Sequence, residues 1–140
     1  MVIIGGGIAG VCAAFFLAEK GLRAVVCEKG RIAAEQSSRN WGWVRQMGRD
    51  IAELPLTIES LNLWRELEPR WGIKTGFRET GIVYTFRKGE NEENLGYWSE
   101  VAQQHQLPVR VLTKDQLGDL LPGISPDFEI AFHTANDGRA

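Results

Sequence analysis

The chain opens with a β-branched run that stops abruptly in glycine. Val2-Ile3-Ile4 leads straight into Gly5-Gly6-Gly7-Ile8-Ala9-Gly10. A short run with no polar alternation reads as a strand of a parallel sheet, apolar on both faces. From Ile8 to Glu19 the residues Ala9, Ala13, Ala14, Phe16, Leu17 and Ala18 favour a helix, and Gly21 stands where a helix C-terminal glycine is expected. Ala24-Val25-Val26-Cys27 is a second apolar run, closed by Glu28-Lys29-Gly30. Strand, tight turn, helix, strand is a βαβ unit, whose crossover is right-handed. That order commits the start of the chain to an α/β, Rossmann-like fold.

The turn also carries chemistry. Residues 5 to 10 read G-x-G-x-x-G, and each glycine has its own task. Gly5 permits the sharp exit from the strand. Gly7 has no side chain to hold a pyrophosphate off the backbone, and Gly10 lets the helix pack closely on the sheet. Ile8 and Ala9 open a helix whose first N–H groups and positive dipole end face the phosphates. Glu28 ends the second strand, where its carboxylate can accept from a ribose 2′-hydroxyl and disfavours a 2′-phosphate. These features predict an adenine-dinucleotide site. The glycines alone do not separate FAD from NAD, because both present the same adenosine diphosphate.

The next segment bears on that choice. An NAD domain would continue with a further helix and an apolar strand. Residues 31–46 are instead polar, with Ser37, Ser38, Asn40 and Gly42, and the stretch from Lys29 to Arg49 carries Arg31, Arg39 and Arg45 against the single acid Glu35. On charge alone it reads as a solvated basic loop; it could also supply donors to a pyrophosphate and a ribityl chain.

Ser37-Ser38-Arg39-Asn40-Trp41-Gly42, placed after a fingerprint that ends in Glu28-Lys29, resembles the D-amino-acid oxidase group of flavoenzymes. That group includes glycine oxidase, sarcosine oxidase and D-amino-acid dehydrogenase, with the glutathione-reductase-like FAD fold. The resemblance implies FAD as cofactor. It makes Lys29, Ser37, Ser38, Asn40, Trp41 and Gly42 candidate flavin contacts beside Gly5, Gly7, Ile8, Ala9, Gly10 and Glu28, and it puts Arg45 near the isoalloxazine or the substrate. The expected substrate is a small amine or amino acid, oxidised at its CH–NH group by hydride transfer to flavin.

Beyond residue 50 the pattern alternates. Leu54 to Trp71 predicts a helix, with Pro55 in its first turn and a stripe of Leu54, Ile58, Leu61, Trp64, Leu67 and Trp71 that reads as core. A strand is expected over 81–86, a polar turn over 89–94 capping a helix from about 93 to 104, and a strand over 109–112. Thr113 is placed to cap a helix over 114–121, which Pro122-Gly123 stops. A last strand over 129–133 precedes Asn136-Asp137-Gly138, a turn signal. The Leu117 to Ile124 run and the closing Thr134 to Gly138 are similar to the same oxidase group. The resemblance therefore implies residues 1–72 as the N-terminal part of an FAD-binding domain, 73–132 as the first part of an α+β substrate domain, and 133–140 as the return to the first. On that reading the chain is about the first third of an enzyme, an incomplete fold whose first two strands stay partly exposed.

Other function classes find little support. The formal charge of −2 gives no reason to expect nucleic acid or an anionic membrane. Residues 1–17 lack the basic start of a signal peptide and are too short and glycine-rich to span a bilayer, so a cytoplasmic setting is expected. Cys12 and Cys27 read as small buried hydrophobes in a reducing compartment, and His105 and His133 have no metal-ligand spacing. No catalytic residue emerges; His133 could be a base, but a lone histidine at a strand end is more often structural. Two alternatives stay open: an NAD-dependent dehydrogenase, and an inactive fragment with residual nucleotide binding or an interaction role.

Overall fold

The computed structural model of the chain describes residues 1–87, 89–90 and 92–140, with 92–95 described by their backbone. It divides into two compact units, Met1–Trp41 and Gly42–Ala140.

The first unit is the βαβ start. Strand β1 (Val2–Ile4) leads into helix α1 (Ile8–Glu19), and β2 (Val25–Cys27) returns parallel to β1 with Val2 opposite Val25 and Ile4 opposite Cys27. The helix ends as its sequence suggested: Gly21 takes φ +72° and the N–H groups of Lys20 and Gly21 close on Leu17 and Ala18. Helix α1 packs on one face of this two-stranded sheet and the other face is open. Ile3 and Val26 are half-buried, whereas Val2, Ile4 and Val25 are exposed, Ile4 at 91%. The same alternation corrects the reading of Cys27, which is exposed because it shares the open face with Val25; Cys12 on α1 is half-buried. A 3-10 turn over Gln36–Ser38 closes the unit.

The second unit starts at β3 (Trp43–Val44). A 3-10 turn (Ile51–Glu53), capped by the Asp50 carboxylate on the Ala52 N–H, runs into α2 (Leu54–Trp71). Strands β4 (Arg78–Glu79) and β5 (Ile82–Arg87), helix α3 (Glu92–Gln104), β6 (Val109–Thr113), α4 (Lys114–Leu120), β7 (Phe128–Thr134) and β8 (Gly138–Arg139) follow. Thr113 caps α4 in a reciprocal box with Gln116. The stripe on α2 is graded: Leu54 and Leu61 are fully buried, while Trp64 and Trp71 are only half-buried. Asn91, in the turn expected ahead of α3, lies outside the described residues.

Two antiparallel sheets organise this unit, in the orders β5-β7-β6 and β3-β8-β4. In the larger, Leu112 pairs with Ala131 on one face and packs on Leu117 of α4, with Val83, Ile124 and Phe128 around them. A second cluster joins Leu54 to Val101, Ala102 and Leu107. The smaller sheet departs from the expectation for residues 136–138: Gly138 and Arg139, beyond the Asn136-Asp137 turn, form a central strand between β3 and β4. Among the described residues no helix is long and apolar enough to cross a membrane.

Leu117 is fully buried in a well-surrounded site. Leu117→Ala is expected to destabilise the second unit by about 3 kcal/mol, the usual loss for a buried leucine that leaves a cavity. Urea unfolding followed by tryptophan fluorescence checks it.

Candidate functional site

In the first unit the glycine turn is held from behind by one carboxylate. Gly5 leaves β1 with φ +100°, a conformation that a residue with a side chain rarely adopts, while its N–H still bonds the Cys27 carbonyl at 2.8 Å. The Glu28 carboxylate accepts from the Gly6 N–H (2.7 Å, Oε2) and from the Gly30 N–H (2.8 Å, Oε1). Gly10 sits so close to the strand that a side-chain carbon there would collide with the Gly5 carbonyl oxygen.

The segment after β2 folds back onto the same turn. The Ala33 N–H donates to the Gly6 carbonyl at 2.9 Å, and the Ile8 N–H donates to the Ser37 hydroxyl at 2.8 Å. Ser37 thereby caps α1 from a distance, since the helix's own N-cap position is Gly7, without a side chain. The first intrahelical bond is Val11 N–H to the Gly7 carbonyl. The N–H groups of Gly7, Ala9 and Gly10 thus have no acceptor within the helix, the arrangement that favours an anion.

Electrostatics support the reading of Glu28. The Gly6 N–H, then the Gly30 N–H, hold this carboxyl below its ordinary value of 4.5 against the opposing effect of desolvation, with lesser help from the Lys29 N–H and charge. It is an ionised acceptor at neutral pH. Two oxygens offer about four acceptor positions, so the two amides leave room for hydroxyl donors. These residues fit the adenosine diphosphate half of a dinucleotide.

The other candidates in this unit serve the turn over 36–38. The Ser38 hydroxyl donates to the Glu35 carbonyl and the Asn40 amide to the Ser37 carbonyl. Lys29 and Arg39 both pair with Glu35, at 3.6 and 3.5 Å on the surface. Trp41 is exposed at 83%.

Gly42 and Arg45 belong to the second unit. Gly42 takes φ +72° and its carbonyl accepts from the Ala140 N–H at 2.9 Å. Arg45 lies between two aromatic rings, 5.2 Å from the centre of Trp43 and 5.7 Å from that of Tyr84, and its Nη1 donates to the Met47 carbonyl. Burial, helped by the Asp137 charge and opposed by Arg45 and Arg49, raises the Tyr84 hydroxyl above its ordinary value, so it is a neutral phenol.

Reading the sequence missed Asp137. This residue is fully buried; it accepts from the Gln46 N–H (2.9 Å, Oδ1), the Met47 N–H (3.2 Å, Oδ2) and the Thr134 hydroxyl (2.8 Å). The Asn-Asp-Gly pattern signalled a turn, and nothing local signals partners some ninety positions earlier. His133, weighed as a base, is buried with Nδ1 facing Arg110 at 3.2 Å. Arginine only donates, so Nδ1 is the acceptor and Nε2 carries the proton. Burial and then the Arg110 charge lower its pKa, keeping it neutral. In this tautomer the ring has no free lone pair with which to act as a base.

The family described as FAD dependent oxidoreductase (DAO) matches over residues 1–140. One of the chains that make up the opine oxidase of Rhizobium meliloti is 28% identical over 155 residues, covering 100% of this chain and 41% of that protein. Among solved structures, L-amino acid deaminase from Proteus vulgaris superposes with a TM-score of 0.88 at 30% identity, covering 99% of this chain and 33% of its own. Glycine oxidase from Geobacillus kaustophilus gives 0.84 at 27% identity, covering 99% and 39%. The chain thus spans between a third and about two-fifths of the length of these proteins.

Two outcomes follow for the carboxylates. A carboxyl lowered in the folded state contributes stability that is present above its ordinary value of 4.5 and is lost as pH falls through the folded value. Carbon-detected NMR is expected to show Glu28 titrating below the other glutamates, with the Gly6 and Gly30 amide shifts following the same curve. Asp137→Ala leaves two buried N–H groups and a hydroxyl without their acceptor and is expected to cost about 3 kcal/mol or more, measured by denaturant unfolding.

Proposed function

The chain belongs to the DAO family of FAD dependent oxidoreductases, and we propose that it supplies the adenosine diphosphate half of the flavin site of an enzyme that oxidises the CH–NH group of an amino acid or amine. One observation carries the reading: the Glu28 carboxylate, held by the Gly6 and Gly30 amides, stands ionised behind a glycine turn that opens a helix.

In this reading the N–H groups of Gly7, Ala9 and Gly10 take the pyrophosphate, with Gly5 and Ile8 setting the turn. Glu28 accepts from the adenosine ribose. Lys29, Ser37, Ser38, Asn40, Trp41 and Gly42 line the path toward the ribityl chain and ring. Arg45 is the cation for a substrate carboxylate. Bound FAD would supply the hydride acceptor, which no side chain can provide. Residues 1–72 belong to the FAD-binding domain, 73–132 to a substrate domain, and 133–140 lead back to the first. A cytoplasmic setting goes with the two free cysteines. Glycine oxidase and L-amino acid deaminase are named for amino-acid substrates, which supports an amino acid here. An FAD dependent family also favours flavin over the nicotinamide that the glycines alone left open.

The test is the visible spectrum of the chain purified and then supplied with FAD. A protein-bound flavin band is expected. Glu28→Gln, close in shape but unable to accept from hydroxyls on both oxygens, is expected to weaken FAD by about tenfold, since a hydrogen bond to a charged group contributes roughly 1.5–3 kcal/mol. A colourless chain that binds NADH instead contradicts the reading.

A further inference from the structure

Among the described residues, His133 is the buried side chain whose ordinary pKa, 6.5, lies near neutrality. It sits on β7, the central strand of its sheet, opposite Val83 of β5 and Arg110 of β6. Gly81, at φ +73°, makes room for the ring: a side-chain carbon there would lie 2.9 Å from Nε2. On the other side of the ring, Arg110 Nη2 donates to Nδ1 at 3.2 Å. Arg110 is exposed, so the contact joins a buried acceptor to a donor that water can solvate in its place.

The strand that carries Arg110 is held from one side. Among the described residues β6 is an end strand, paired with β7 over Val109–Thr113, and its Val111 is 48% exposed. Helix α4 starts from the Thr113 cap and packs back through Leu117 onto Leu112 and Ala131. Strand and helix therefore form one piece at the edge of the unit. The charges around the ring are one-sided as well. Arg110 acts on it from β6, while β5 and α4 face it with Val83 and the Leu117 cluster. Lys114, Asp115 and Asp119 of α4 surround a separate hollow with Ser125 and Pro126. Asp137 gives its carboxylate to Gln46, Met47 and Thr134, and Glu79 pairs with Arg65. Among the described residues no carboxylate bears on the ring, so a positive charge placed there goes uncompensated.

We propose that the His133–Arg110 contact is an acid-released latch on the edge strand β6. In the neutral ring Nδ1 keeps its lone pair and accepts from the guanidinium. A proton taken from solvent occupies that lone pair, which leaves two donors and two positive charges face to face. Arg110 then turns to water, and β6 with α4 loosens from β7. The sign of the linkage agrees. Burial, then the Arg110 charge, lowers the folded pKa below 6.5. The stability contributed is therefore full above 6.5 and is lost as pH falls through the folded value.

The test is amide hydrogen exchange of the full 140-residue chain, corrected for intrinsic rates, as pH is stepped from about 7.5 to about 5, where a histidine changes charge. Ring 15N shifts are expected to show Nδ1 without a proton at neutral pH. Protection of the β6 amides that bond to β7, and of the α4 amides, is expected to fall severalfold along the His133 titration curve. The β5–β7 amides are expected to keep theirs. Arg110→Met removes the facing donor and charge; it is expected to loosen β6 already at neutral pH and to raise the His133 titration, so that the change with pH shrinks. Arg110→Lys, which keeps the charge, is expected to retain most of it. His133→Asn, which keeps an acceptor but does not titrate, is expected to hold β6 protection constant over the range. Arg110 is exposed, so its variants keep the test readable even if the buried substitution prevents folding. A proton on Nδ1 at neutral pH, a His133 titration unmoved by Arg110→Met, β6 protection that does not follow that titration, or a loss spread evenly over all three strands would overturn the latch.

Discussion

The βαβ unit depends on one carboxylate gripping two backbone amides. Parallel strands joined through a tight turn leave the amides after the first strand pointing away from the ladder, and a buried or crowded N–H needs an acceptor. Glu28 supplies it for Gly6 and, with its other oxygen, for Gly30. The end of β2 is thereby tied to the exit of β1 and to the start of the following loop. That loop returns to the turn through Ala33 and Ser37. The same contacts that fix the backbone keep the carboxylate ionised, and the group proposed to accept from the ribose is the one that ties the turn together.

The second unit solves a similar problem with Asp137, in a drier place. Its carboxylate satisfies the Gln46 and Met47 amides and the Thr134 hydroxyl at once. Two facing amides need a charged acceptor or a partner strand, and here the short β3 ends just before them. Asp137 thus extends what the β3–β8 pairing begins and fixes the segment that carries Arg45. Arg45 is steadied in turn by Trp43, Tyr84 and the Met47 carbonyl. A positioned cation between two aromatic rings follows from these contacts.

Much of this was legible because it is local. A β-branched run ending in glycine, an alanine-rich helix and a terminal acid encode the first unit within about thirty residues, and the bounds of α1 and α2 are those the periodicity gives. The Thr113 cap was legible for the same reason. What escaped reading depends on partners far along the chain. The two-residue strands β3, β4 and β8 have no periodicity of their own and exist only through their pairing. Asp137 looked like turn chemistry because its amide partners lie around position 46. Cys27 looked buried because an apolar run does not say how many layers cover it. The roles of Ser38 and Asn40 in the turn over 36–38 also became visible only once the chain was folded.

In the function proposed above, the glycine turn and Glu28 form the receptor for adenosine diphosphate, one half of FAD. ADP titrated into the chain, followed by backbone amide NMR, tests it most directly. Saturable shifts centred on Gly7, Ala9 and Gly10, accompanied by Gly6 and Gly30 through Glu28, are the expected result. Saturation with the largest shifts elsewhere, or no response at these five amides in a folded chain, would contradict it.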